Sequence, residues 1–202
     1  VNDIFVEYRN KTIGDFEIRD PSHSQAVEAV KKYMEAIKDH RKHAYGLFLT
    51  GPSGVGKTFL ASMVLKCAQA EGFSIEAMEF ATYVNMHHRM FRYDSQVRAG
   101  YSDAVEDFHG IDVQVRRMHN RIDFVLFDDI GREHESGSGW SNEQLFDIFR
   151  YRFNRGKPTI FTTNKSMPEL KSRYSEGFTS LLHGATRIIL VEGEDYRCVE
   201  GN

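Results

Sequence analysis

The sequence predicts an α/β fold with a five-stranded, mainly parallel sheet and helices on both faces. Three observations carry that reading. Five short apolar runs, at 46–50, 74–80, 123–128, 158–163 and 187–191, have the length and flanks of buried strands. Between them lie segments whose apolar residues recur every three or four positions, as on one face of a helix. A glycine-rich stretch joins the first strand to the next helix. Strands alternating with helices argue for parallel pairing.

Along the chain, residues 1–21 mix charges with Phe5, Tyr8, Ile13, Phe16 and Ile18, and read as an irregular or partly extended lead-in. The remainder, 22–202, reads as one domain. Asp20-Pro21-Ser22 is a helix start, capped by Asp20 or Ser22. Ala26, Val27, Val30, Tyr33, Met34 and Ile37 continue it as an amphipathic helix over 22–40. Leu60, Met63, Val64 and Cys67 mark a second helix, and Leu145, Ile148, Phe149 and Phe153 another. The stretch 82–122 lacks a clear strand and reads as one or two helices with a soft break at Arg98-Ala99-Gly100. Residues 129–141, with Gly131, Gly137 and Gly139, read as a flexible loop anchored by Trp140.

Composition narrows the class. With 41% apolar and 27% charged residues in a chain of 202, a proper core can form and disorder is excluded. No apolar run approaches the ~20 residues needed to span a bilayer. The net charge of −3, from 26 basic and 29 acidic residues, gives no global field for gripping nucleic acid. Two cysteines without a C-x-x-C, and a start at Val1-Asn2-Asp3-Ile4 unlike a signal peptide, point to a cytoplasmic setting. A start at Val rather than Met raises the expectation of a piece of a longer protein that has lost a partner-binding segment. Nine histidines include no metal-ligand spacing; His87-His88 are adjacent and point to different helix faces.

Gly51-Pro52-Ser53-Gly54-Val55-Gly56-Lys57-Thr58 matches G-x-x-x-x-G-K-[ST] in full, between a buried strand and an amphipathic helix. Such a loop turns successive N–H groups onto phosphate oxygens, and the helix aims its positive end at the same anion. The expected nucleotide contacts are Gly51, Pro52, Ser53, Gly54, Val55, Gly56, Lys57, Thr58 and the adjoining Phe59. Lys57 would reach the β- and γ-phosphates, and Thr58 would ligate Mg²⁺.

Val125-Leu126-Phe127-Asp128-Asp129 places two carboxylates at the end of an apolar strand, where they are costly unless the strand opens on a polar site. Asp128 is then the expected Mg²⁺ partner, and Asp129 the group that orients or deprotonates an attacking water. Two solvated turn aspartates are the bland alternative. Ile160-Phe161-Thr162-Thr163-Asn164 ends another strand in polar residues, and Asn164 could sense the γ-phosphate or hold that water.

These segments, with Phe127–Gly131, Gln144–Ile148 and Tyr151–Asn154, resemble the AAA+ ATPases of the DnaC/DnaI-type helicase loaders and the related IstB-type transposition helpers. The likeness spans roughly 10–197 and includes the ending Glu192–Arg197. It implies a P-loop AAA+ sheet in which the acidic and sensor strands flank the P-loop strand. It implies ATP with Mg²⁺ and a homo-oligomer stacked head to tail in a spiral. It also implies an arginine that reaches the neighbouring subunit's γ-phosphate, matched here by Arg173, although an exposed helix arginine is the alternative. The catalytic set is then Lys57, Asp129, Asn164 and Arg173. Thr179-Ser180-Leu181-Leu182 lacks the basic residue relatives often carry there, leaving Arg187 as a weak substitute. The 38 residues after Asn164 leave room for a minimal lid.

The resemblance implies single-stranded DNA and a replicative helicase or a transposase as partners, with no membrane. For DNA, 82–122 is the candidate insertion. Its Arg89, Arg92, Arg98, Arg116, Arg117 and Arg121 lie beside Phe91, Tyr93, Tyr101 and Phe108, but five acidic residues offset the six arginines. A helicase-loader-type ATPase acting in DNA replication leads the readings. Its rivals are a transposition helper, a small-molecule kinase, and a nucleotide-gated binding module without turnover.

Overall fold

The five apolar runs form strands β1 (Gly46–Thr50), β2 (Ile75–Glu79), β3 (Phe124–Asp128), β4 (Thr159–Thr163) and β5 (Thr186–Leu190). They belong to a computed structural model that describes residues 6–39, 45–99, 103–133 and 140–198. The strands make one sheet in the order β2-β3-β4-β1-β5, and every pairing is parallel. Each strand of the central trio β3, β4 and β1 is buried along its whole length, as its unbroken apolar run demands.

The strand order corrects one expectation. The acidic strand β3 does not flank the P-loop strand β1; the sensor strand β4 lies between them and pairs with both, and β5 takes the other side of β1. The reason lies in the first crossover. Helix α2 (Lys57–Ala70) lies over the middle of the sheet, where Leu126 of β3 and Ile160 of β4 share a core with its Leu60, Val64 and Leu65. A crossover of that width leaves two places between β1 and β2, which β3 and β4 fill later.

Strand alternation divides the apolar residues between two cores. Leu47, Leu49, Leu126 and Ile160 pack under α1 (Pro21–Lys38) and α2. Phe48, Val125, Phe127 and Phe161 face α3 (Phe80–Arg98), α4 (Asp103–Asn120), α5 (Trp140–Phe153), α6 (Met167–Arg173) and α7 (Glu176–Ala185). Helix α1 starts as expected: the Asp20 carboxylate accepts the Ser22 N–H at 2.8 Å, with Pro21 in the first turn. The stretch 82–122 resolves into the two helices α3 and α4, which pack on each other. In the expected loop at 129–141, residues 134–139 and the Trp140 side chain lie outside the described residues. Among the described residues no helix is long and apolar enough to cross a membrane.

At the amino ends of β3 and β4 sits Arg152, fully buried. Its guanidinium donates to the carbonyls of Met118 (2.5 Å), Ile122 (3.0 Å), Asp123 (2.8 Å) and Pro158 (3.0 Å) and to the Thr159 hydroxyl (3.1 Å). One side chain thereby joins the end of α4, the starts of β3 and β4, and α5. Burial pushes its pKa down to about 10, so it stays charged at neutral pH. Close by, the Tyr83 hydroxyl bonds His119 Nε2 at 2.9 Å, and the His87 ring packs on Tyr83 at 4.6 Å. Burial above all, helped by neighbouring positive charge, pushes both histidines down to about 4.

Two outcomes follow. Arg152→Met removes all five bonds that this guanidinium donates and should destabilise the chain by about 3 kcal/mol or more, seen as a Tm lower by roughly 6–12 °C. His87 and His119 stay neutral when folded but titrate near 6.5 when unfolded. Stability should therefore hold above pH 6.5 and decline from there towards pH 4, as the unfolded chain takes up protons the folded chain refuses. The pH slope of Tm between 6.5 and 5 should flatten in a His87→Phe/His119→Phe double variant.

Candidate nucleotide site

The carboxyl ends of β1, β3 and β4 open on one site. After Thr50 the chain turns through 51–56 and enters α2 at Lys57. Gly54 (φ +74°) and Gly56 (φ +89°) take left-handed conformations, and both are crowded. A Cβ on Gly56 would lie 2.5 Å from the Phe16 ring, and one on Gly54 would lie 1.8 Å from the Asp195 carboxylate. The loop is thus gripped from both sides, by segments near opposite ends of the sequence. Lys57 is buried, and its ammonium donates to the carbonyls of Gly51 (2.9 Å) and Pro52. Burial lowers its pKa, while the carboxylates of Asp129 and Asp128 act in the opposite direction.

Asp128 is the junction of the site. Its Oδ1 accepts the Thr162 hydroxyl at 2.6 Å and the Thr58 hydroxyl at 3.0 Å, so one carboxylate joins β3, β4 and α2. Burial raises its pKa, Thr162 and Thr58 hold it down, and the neighbouring Asp129 raises it further. Asp129 is the one non-glycine residue at positive φ (54°) among the described residues. Its N–H donates to the Thr162 hydroxyl at 2.9 Å, which fixes that strained turn. Its carboxylate meets exposed Arg132 at 3.1 Å.

The cavity beside the P-loop measures ≈ 390 Å³. Ser53, Gly54, Gly56, Lys57, Thr58, Phe59 and Asp129 line it. Val55 points instead into the core under α1 and α2. Asn164 follows β4 as an exposed residue and does not line the cavity, nor does Arg173 at the end of α6. Arg173 is engaged within its own chain. Its guanidinium bonds the Glu133 carboxylate at 3.2 Å and the Glu133 carbonyl. Buried Glu133 also accepts the Tyr174 hydroxyl (2.6 Å) and the Gly131 N–H (2.9 Å).

Sequence reasoning missed the other walls. Tyr8 and Phe16 come from the lead-in, and Tyr196 and Arg197 from a short 3-10 turn after β5. Arg197 donates to the Ser53 hydroxyl at 2.8 Å and pairs with Asp195 at 2.9 Å, while the Tyr196 N–H bonds the Gly54 carbonyl at 3.1 Å. Arg197 is therefore the arginine that lies against the P-loop among the described residues. Arg187, the weak substitute, is exposed near the amino end of β5, the far end of the sheet from the P-loop. The run Asp195-Tyr196-Arg197 was the available signal, but no spacing within it reports that it folds back onto Gly54.

No curated protein matches the chain. The IstB-like ATP binding protein family matches residues 9–199. In fold, the chain is similar to the DnaC helicase loader, with a TM-score of 0.67 and 23% identity, over 92% of this chain and 98% of that one. It is likewise similar to DnaI, with a TM-score of 0.66 and 18% identity, over 92% and 93% of the two chains. The replication initiator DnaA bound to AMPPCP and single-stranded DNA gives a TM-score of 0.68 and 19% identity, over 96% of this chain and 52% of that one. These likenesses show the fold, a five-stranded parallel sheet with a P-loop after β1, shared with these three proteins.

Thr162 is the hydroxyl on which this geometry turns. Thr162→Val removes a donor from a buried carboxylate and an acceptor from the Asp129 N–H, and should destabilise the chain by about 3 kcal/mol in urea denaturation. Thr162→Ser, which keeps the hydroxyl, should stay within about 1 kcal/mol of wild type.

Proposed function

The chain belongs to the IstB-like ATP-binding protein family, and on that footing we propose that it is a Mg²⁺-dependent ATPase that assembles on single-stranded DNA to load a replicative helicase. The observation that carries the chemistry is the Thr58–Asp128–Thr162 junction with Asp129 beside it, at the open ends of the strands. Thr58 and Asp128 offer only oxygens, a hydroxyl and a carboxylate 3.0 Å apart, the donor set that suits a hard cation. They would hold Mg²⁺, which when bound offsets phosphate charge. Lys57 exchanges its loop carbonyls for phosphate oxygens, and the P-loop N–H groups orient the chain of phosphates. Asp129, fixed by its turn, accepts the proton of the attacking water; Asn164, exposed beyond β4, would orient that water only from outside the cavity. Arg197 acts from the same subunit. Arg173 acts on the neighbour in a head-to-tail spiral, exchanging Glu133 for the neighbouring γ-phosphate.

Helicase loading draws its support from the likeness to the DnaC loader along almost its whole length. The DNA role draws on the arginines and aromatics of α3 and α4 and on the likeness to DNA-bound DnaA. The family match favours one alternative, a transposition helper with the same chemistry and a transposase as partner. Copurification with a helicase or with a transposase separates the two.

The test is ATP hydrolysis against protein concentration, with and without single-stranded DNA. Specific activity should rise with concentration and with DNA. Lys57→Ala should lose nucleotide binding, and Arg173→Ala should lose roughly 10³-fold in turnover while still binding ATP. Mixing Arg173→Ala with Asp129→Asn should restore part of the activity, because complementary interfaces form. No rescue despite assembly would remove Arg173 from the mechanism. ATP binding without turnover under every condition would make the chain a nucleotide-gated binding module.

A further inference from the structure

The two ends of the cavity are built on different supports. The phosphate end rests on β1 and the start of α2, held by the sheet. The other end is walled by the lead-in: Glu7, Tyr8, Lys11, Phe16 and Glu17. The Tyr8 ring stands edge-on to Phe59 at 5.4 Å, and Phe16 leans on the same ring at 5.6 Å. The segment at 6–11 is a run of turns outside any regular element, so something must fix it to the domain.

Lys66 does so. It lies on α2 two turns beyond Phe59, and its ammonium donates to the backbone carbonyls of Tyr8 (3.2 Å), Arg9 (2.9 Å) and Lys11. An ammonium has three donor protons and no acceptor, so three converging carbonyls satisfy it in full. The turns themselves are weakly bonded, by Arg9 N–H to the Val6 carbonyl at 3.4 Å and Lys11 N–H to the Tyr8 carbonyl at 3.1 Å. Beyond Lys11, the Thr12 hydroxyl and N–H bond Asp15 at 2.8 and 2.6 Å, a purely local closure that fastens nothing to α2. The far end of the lead-in has its own tie, Tyr196 to the Glu17 carbonyl and to His23.

We propose that Lys66 is a positioning residue for the nucleoside end of the bound nucleotide: by gathering the carbonyls of Tyr8, Arg9 and Lys11 it holds the Tyr8 wall against Phe59 and sets affinity for base and ribose without touching the ligand. The proposal rests on the ATP-binding reading above. It separates two contributions that a triphosphate alone and a whole nucleotide report differently. Inorganic tripolyphosphate needs only the P-loop, whereas ATP also needs the lead-in wall.

Calorimetric titration of the full chain with ATP and with inorganic tripolyphosphate tests this, for wild type, Lys66→Met and Lys66→Arg. Lys66→Met should weaken ATP about 10-fold while tripolyphosphate stays within about 2-fold of wild type. Lys66→Arg, which donates again, should recover part of the ATP affinity. An equal loss for both ligands would show a structural role only and overturn the proposal, as would an unchanged ATP affinity in Lys66→Met. Should Lys66→Met fail to fold, Tyr8→Ala reads the same split, and an equal effect on both ligands there overturns the proposal too. Wild-type protein that binds neither ligand would overturn the nucleotide reading itself, and this proposal with it.

Discussion

A carboxylate taken out of water at the end of a buried strand constrains everything near it. Asp128 has to be compensated, and the compensation comes from two threonine hydroxyls on two other elements, Thr58 at the start of α2 and Thr162 on β4. Removing any one element would leave that charge buried with too few donors. The same Thr162 hydroxyl accepts the Asp129 N–H and so holds the strained turn that carries the second carboxylate forward. The start of α2, β3 and β4 are therefore one hydrogen-bonded unit rather than three adjacent motifs.

The opposite end of the sheet is built by the reverse arrangement. There a buried cation, Arg152, is satisfied by neutral carbonyls and a hydroxyl among the described residues. The five bonds join elements that local sequence leaves apart, so the starts of β3 and β4 are fixed together. Rigidity at that end gives the carboxyl ends of the same strands a defined position, which a site made of strand termini requires.

Much of this was legible. Apolar runs bounded by turn residues gave every strand to within about two residues, and the Gly51–Thr58 spacing announced its phosphate loop in context. Strand order was not legible, because periodicity reports which face is buried and says nothing of which neighbour lies alongside. Thr162 looked like part of an ordinary polar strand end, since a hydroxyl's role depends on a carboxylate 34 positions earlier. Phe16, Lys66 and Glu133 carry no motif at all, and the resemblance at Tyr151–Asn154 assigns Arg152 no role. Each matters through a partner distant in sequence or through backbone carbonyls, which no side-chain pattern records.

The cavity wall joins segments that lie almost the whole sequence apart: the bond from Tyr196 to the Glu17 carbonyl spans 179 positions. During synthesis the ribosome releases the lead-in early and Arg197 late, so the finished wall cannot exist on a partial chain. The P-loop contacts can form once β1 and α2 are out, but their enclosure waits for the last turn to fold back. Closing so long a loop is entropically slow and gains only from contacts already in place. A nucleotide that uses both walls would therefore bind most tightly once the turn at Tyr196–Cys198 has folded back onto Gly54.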